Sequence, residues 1–185
     1  MFVLRLRLSL RLEKYFNQKS SNMKKVILSL AIVAIAFSAN AQSKKVETKE
    51  FKFGVGVTAG LPMSDIKPVS SFAVKGDLQA EYTAAENLGL TLSAGYLKYI
   101  AKSGFTTGSV IPVLAGVKFG FADKFYGHAQ LGLSFLSDGG GSAFTYAPSI
   151  GYKVSDNFDL ALKYEALSKN SVTFSYLGLR AGFSF

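Results

Sequence analysis

The sequence predicts an all-β fold: an eight-stranded antiparallel up-and-down transmembrane β-barrel, preceded by a cleavable signal peptide. Three observations carry the prediction. Segments of about ten residues alternate apolar and polar positions from Glu50 to Phe185. The apolar face of these segments is bounded by aromatics at both ends. A short apolar run behind a basic cluster lies near the N-terminus.

The export segment comes first. Met23-Lys24-Lys25 is a positive start, and Val26 to Phe37 is apolar throughout. Ser38-Ala39-Asn40-Ala41 places small residues at both cleavage positions, so cutting is expected after Ala41. Twelve apolar residues rise only about 18 Å as a helix, too short for a bilayer core of roughly 30 Å. Residues 23–41 therefore read as a signal peptide and 42–49 as a short periplasmic N-terminal segment. Residues 1–22 read as a misassigned upstream extension, because a complete signal begins at Met23. The same division explains the charge. Of 21 Lys and Arg, seven precede Val26, with one of the 12 acids, leaving 14 against 11 and a net of +3. That balance removes the case for a nucleic-acid partner. The chain has no cysteine, which excludes disulfides and thiolate chemistry.

The strands follow in order. The first carries Phe51, Phe53, Val55, Val57, Ala59 and Leu61 on one face, with Lys52, Gly54, Gly56, Thr58 and Gly60 on the other. The second sets Phe72, Val74, Leu78, Ala80 and Tyr82 opposite Lys75, Asp77, Gln79 and Glu81. The third sets Leu88, Leu90, Leu92, Ala94 and Tyr96 opposite Gly89, Thr91, Ser93 and Gly95. In the fourth, Ile111, Val113, Ala115, Val117 and Phe119 oppose Gly116, Lys118 and Gly120. The fifth opposes Phe125, Ala129, Leu131, Leu133 and Phe135 to Tyr126, His128, Gln130 and Ser134. The sixth opposes Phe144, Tyr146, Ile150 and Tyr152 to Thr145, Ser149, Gly151 and Lys153. The seventh opposes Phe158, Leu160, Leu162, Tyr164 and Ala166 to Asp159, Lys163 and Glu165. The eighth opposes Leu177, Leu179, Ala181, Phe183 and Phe185 to Tyr176, Gly178, Arg180, Gly182 and Ser184.

The connections alternate as well. Ala85–Leu88, Ala122–Phe125 and Ser155–Phe158 are short, similar turns, each carrying an acid. Between them lie looser connections at 62–68, 98–108, 136–143 and 168–171. Short turns at one rim and longer loops at the other is the asymmetry of an outer-membrane barrel, whose short turns face the periplasm.

A soluble ligand-binding barrel also alternates, so the faces must be assigned. Here the apolar face ends in aromatics, and the other is rich in Gly, Ser and Thr with charges of both signs. A narrow lumen needs that second composition; a water-facing exterior would carry dense Lys and Glu. The alternating C-terminus, closing on Phe183 and Phe185, resembles the signal by which the barrel-assembly machinery recognises its substrates. On these features residues 50–185 resemble the outer membrane protein beta-barrel domain family of Gram-negative bacteria, porin-like barrels that include the outer membrane protein A and X types. The resemblance implies an integral outer-membrane location and an up-and-down barrel. It implies no single activity.

Little in the sequence points to catalysis. His128 is the only histidine, so no His-pair metal site can form. Ser134 and Ser149 share the polar face with it, but nothing marks either as a nucleophile. Gly139-Gly140-Gly141 lacks the Gly-Lys-Ser/Thr and the helix of a phosphate loop. Asp77 and Glu81 stand roughly 13 Å apart along one strand, beyond the separation of glycosidase carboxylates. No catalytic residue, cofactor or metal is expected. The polar face instead suggests a structural charge network in the lumen: Lys52, Lys75, Asp77, Glu81, Lys118, His128, Asp159, Lys163, Glu165 and Arg180. A hairpin centred on 168–171 would set Asp159 opposite Arg180, and one centred on 122–124 would set Lys118 opposite His128. The expected role is structural or surface-interacting, with outer-membrane lipids around the wall and any extracellular ligand at loops 62–68, 98–108 and 136–143. A small-solute channel is the alternative, disfavoured because eight strands enclose only enough space for side chains. A lipid-modifying enzyme is the third reading.

Overall fold

The computed structural model describes residues 50–137 and 139–185; the export segment and the 1–22 extension lie outside them. Eight antiparallel strands close into one barrel in chain order. They are β1 (Phe51–Ser64), β2 (Ser70–Ala85), β3 (Leu88–Ala101), β4 (Ser109–Gly120), β5 (Phe125–Leu136), β6 (Gly141–Lys153), β7 (Phe158–Lys169) and β8 (Val172–Ser184). Each strand pairs with its sequence neighbours. Closure comes from β1 against β8, in register from Gly54 with Ser184 to Ser64 with Phe174. Phe53 and Phe185 extend that seam by exchanging backbone hydrogen bonds of 3.3 and 2.8 Å.

Period-two alternation decides what each face meets. Along β1 the residues Phe51, Phe53, Val55, Val57 and Leu61 are exposed, while Gly56, Thr58 and Gly60 between them are buried. The same pattern runs through Leu78, Leu90, Leu92, Leu131, Leu133, Leu160, Leu162 and Leu179 on the other strands, all exposed. A wall of aliphatic side chains turned outward is stable only in an apolar solvent, because in water each would forfeit its burial energy. The strands are 12 to 16 residues long. Twelve residues extend roughly 40 Å, enough to cross an apolar band of about 25 Å at a 40° tilt. Aromatics edge the band. At the rim where β1 begins and β8 ends, Phe51 meets Tyr82 at 4.8 Å and Phe125 meets Tyr152 at 4.9 Å between ring centroids. At the opposite rim Tyr146 and Tyr164 lie 6.2 Å apart.

The loops are tighter than the sequence suggests. The looser connections shrink to 65–69, 102–108, 137–140 and 170–171, because strand pairing continues past the last outward residue of the pattern. The last of these changes a register. Asn170 and Ser171 reverse the chain alone, both left-handed at φ 48° and 69°, with Lys169 paired to Val172. A two-residue turn of that hand matches the twist of the flanking strands. It shifts β7–β8 pairing by two positions from the expected register: Asp159 faces Gly182, and Arg180 faces Ala161. The β4–β5 hairpin does pair Lys118 with His128.

The interior has two storeys, where the sequence reading assigns one polar face. Towards the loop rim the inward residues are mostly apolar: Ile66, Ala73, Leu97, Tyr99, Val110, Ala143, Leu167 and Tyr176 form one buried cluster, with Ser134 and Thr145 hydrogen-bonded to each other beside it. Leu97, Tyr99 and Leu167 hold inward positions in the stretches where strands outrun the recognised pattern, so their parity is hidden from a reading that stops at Tyr96 and Ala166. Towards the terminal rim the interior is polar and charged.

Candidate functional site: the charged lumen

The deepest ion pairs centre on Glu165. Its carboxylate is fully buried and lies 2.7 Å from the Lys75 ammonium and 3.4 Å from that of Lys163. Lys163 also donates to Gln130 Oε1 at 2.8 Å, and Gln130 Nε2 donates to Ser93 Oγ at 2.9 Å. Ser93 then donates to the Leu114 carbonyl at 3.4 Å. A chain of polar contacts thus runs from β2 through β7, β5 and β3 to β4. Side-chain bonds between strands that are not neighbours cross the lumen, and each occupies space a solute would need.

A second group centres on Arg180. Its Nη2 and Nε reach the two oxygens of Asp77 at 2.8 and 3.3 Å. Nη1 lies 3.5 Å from Asp159, which also accepts the Tyr126 hydroxyl at 2.8 Å. One planar fork therefore serves two carboxylates, a task suited to guanidinium and beyond a single ammonium. Glycine makes the room. A Cβ at Gly56 would fall 2.3 Å from Arg180 Nη2, and one at Gly182 would fall 2.4 Å from Nη1. Because Gly182 faces Asp159, Arg180 reaches over a position without a side chain, and the ion pair survives the shifted register.

Nearer the terminal rim, Lys118 pairs with Glu81 at 2.9 Å and lies 4.4 Å from the centroid of the Tyr126 ring. His128 Nε2 bonds Thr91 Oγ1 at 2.8 Å. Its ring meets no serine: Ser149 donates to the His128 main-chain carbonyl, and Ser134 accepts from Thr145. Lys52 is the member of the expected network that lies outside it. It has an inward position but sits where β1 begins, at the open mouth; its side chain is 48% exposed and pairs with Glu50 at 3.6 Å. Lys153, also of inward parity, is exposed at the same rim. Phe183 and Phe185 are turned outward and exposed, on the apolar wall.

The interior is charge-matched. Lys75, Lys118, Lys163 and Arg180 face Asp77, Glu81, Asp159 and Glu165. Exposure grades along it. Lys75 and Glu165 are sealed, at 2% and 0%, whereas Lys118 and Glu81 show 11% and 22% near the terminal mouth. Tyr126, Gln130, Thr91 and Ser93, which complete the network, are polar-face residues in the sequence. Their cross-lumen partners are not set by strand parity.

The family model described as outer membrane protein beta-barrel domain matches residues 29–185 of this chain. The chain belongs to that family. It is an integral outer-membrane β-barrel protein. No curated protein matches it in sequence. Among solved structures it is similar to the attachment invasion locus protein Ail of Yersinia pestis in complex with the heparin analogue sucrose octasulfate. That match has 17% identity and a TM-score of 0.54, and covers 75% of this chain and all of the other. The N-terminal barrel domain of Pseudomonas aeruginosa OprF matches at 15% identity and a TM-score of 0.53, over 75% of this chain and all of the domain. Neisserial surface protein A matches at 15% identity and a TM-score of 0.50, again over 75% and 100%. At these identities the likeness is one of fold.

Proposed function

We propose that this barrel is a structural and surface-interacting protein of the outer membrane, its lumen held shut by ion pairs and its loops available to extracellular partners. The observation that carries the reading is the matched set of charges bridging the lumen around Glu165 and Arg180, capped by the apolar cluster of Leu97, Tyr99, Leu167 and Tyr176. Ions would have to displace bonded side chains at one level and enter an apolar layer at the next, and each step costs several kcal/mol. The structurally similar Ail was solved with a sulfated sugar analogue, which agrees with a surface role for small barrels of this shape. The purified folded protein in planar lipid bilayers should therefore give no stable single-channel steps. Reproducible ohmic conductance would refute the closed lumen and favour a small-solute channel.

Assembly belongs to the same proposal. Phe185 extends the closing seam through its backbone and presents its ring to the bilayer, the placement expected of a signal read by the assembly machinery. Deleting Phe185 should reduce the folded, heat-modifiable fraction in outer membranes several-fold and leave unfolded chain in the periplasm. An unchanged folded yield would remove the C-terminal residue from that role.

A further inference from the structure

The β3–β4 loop, residues 102–108, carries a phenylalanine that the barrel does not use. Phe105 is 53% exposed, beyond the last outward residue of β3, Ile100. A lone exposed aromatic on a loop is unremarkable by itself. What matters is where the loop is held. Lys98 has the outward register on β3: it lies between outward Tyr96 and Ile100, and its cross-strand neighbours are Val74 and Ser109. The alternate residues Leu97 and Tyr99 are the buried ones. From that outward root, the Lys98 ammonium donates to the Thr107 carbonyl at 2.9 Å. A side chain rooted on the outward face of β3 thus grips the backbone of the loop.

The neighbouring loop is tied in. The Lys102 backbone N–H donates to the Val69 carbonyl at 2.9 Å, and the Lys102 ammonium donates to the Lys67 carbonyl at 2.9 Å. Lys67 and Lys102 are both exposed. Gly104, at φ 82°, turns the chain just before Phe105, whose N–H returns to the Lys102 carbonyl at 3.0 Å. The result is an aromatic tip flanked by two lysines, joined to an apolar wall that already contacts lipid. Cationic and aromatic residues in that combination suit the boundary between anionic headgroups and acyl chains.

We propose that residues 102–108 form a membrane-interface anchor, in which Phe105 enters the headgroup–acyl boundary at the loop rim and Lys67 and Lys102 engage lipid phosphates. The anchor would fix the height and tilt of the barrel on the side of β2 to β4. The two arguments for lipid as the occupant are continuity with the outward row Tyr96–Lys98–Ile100 and the positive charge of Lys67 and Lys102, opposite in sign to that of lipid phosphates.

The test uses the composition of the chain. It has no Trp, so Phe105→Trp creates a single tryptophan at the tip, excited selectively at a wavelength its tyrosines do not absorb. In the refolded full chain, in vesicles of phosphatidylglycerol and phosphatidylcholine, its emission should shift to shorter wavelength than in urea. It should lose intensity when lipids carry bromine near the carboxyl end of the acyl chain, and resist iodide. Emission at the aqueous position with full iodide quenching would overturn the proposal. So would blue-shifted emission untouched by brominated lipid, which would place the ring against protein. Should the tryptophan variant fail to give heat-modifiable folded protein, Phe105→Cys carrying a nitroxide reads the same depth, since the chain has no other cysteine. Greater accessibility to oxygen than to a water-soluble nickel complex supports insertion, and the reverse overturns it. Lys67→Gln with Lys102→Gln should make the reporter shallower, and more so in phosphatidylglycerol vesicles than in pure phosphatidylcholine, where the choline ammonium neutralises the phosphate charge. A reporter depth in phosphatidylglycerol that is unchanged by the two substitutions would overturn the lysine–phosphate contacts.

Discussion

Glu165→Gln is expected to lower the free energy of unfolding in lipid vesicles by about 3–5 kcal/mol, the largest loss of any single change in the lumen. The substitution keeps the volume and removes one charge. That charge faces two ammonium groups, Lys75 at 2.7 Å and Lys163 at 3.4 Å, in a site sealed from water. Without it, two cations remain buried with no carboxylate in direct contact, and most of the cost of their desolvation goes uncompensated. Urea titration of refolded barrel, followed by electrophoretic mobility before and after heating, measures the effect. The control is to remove the whole group. Converting Glu165, Lys75 and Lys163 together to apolar residues of similar volume should recover most of the lost stability, because a buried ion cluster contributes little beyond its own desolvation. A triple variant weaker than Glu165→Gln would mean that packing, not charge balance, governs this level of the lumen.

Arg180→Met should be the second most damaging change, at about 3 kcal/mol, since it strands two carboxylates rather than two ammonium groups. Asp77 loses both of its guanidinium bonds, and Asp159 keeps only the Tyr126 hydroxyl. The loss should be the smaller of the two, because Asp159 retains 11% exposure and water can reach it from the terminal mouth. Arg180→Lys should recover only part of it, because one ammonium cannot bridge both carboxylates. Full recovery by lysine would show that point charge suffices and that the fork geometry is incidental.

Much of this arrangement is legible in the sequence because a membrane barrel obeys a rule of period two on every strand. Parity alone assigns Lys75, Asp77, Lys118, Asp159, Lys163, Glu165 and Arg180 to the inner face, and all are inside. The rule has no information about height. Lys52 and Lys153 have the right parity and still lie at the mouth, exposed, because each stands at the end of its strand. Nor does it pair residues across the lumen, since the bonds from Glu165 to Lys75 and from Gln130 to Ser93 join strands that are distant in sequence and not hydrogen-bonded to each other. Hairpin registers are predictable only where the turn is. At 122–124 the reversal is centred as the sequence suggests. At Asn170–Ser171 the φ values show a tighter turn than the polar run SKNS implies, and the partner of Asp159 moves by two positions. The apolar storey is the largest departure. Tyr99 falls in the connection 98–108 and Leu97 and Leu167 just beyond the recognised strands, so none is assigned to a face until strand lengths are known, and together with Tyr176 they form the apolar cluster above the charges.

The claim that the lumen is sealed at its charged centre and open only at its terminal mouth is tested most directly by lysine labelling. The folded protein is treated with an amine-reactive reagent, digested, and compared lysine by lysine with the heat-unfolded chain. Lys52, Lys67, Lys102, Lys124 and Lys153, exposed at the rims, should modify at rates near those of unfolded chain. Lys75 and Lys163, held against Glu165, should remain unmodified until the barrel unfolds. Modification of Lys75 or Lys163 in the folded state at the rate of Lys52 would contradict a closed lumen.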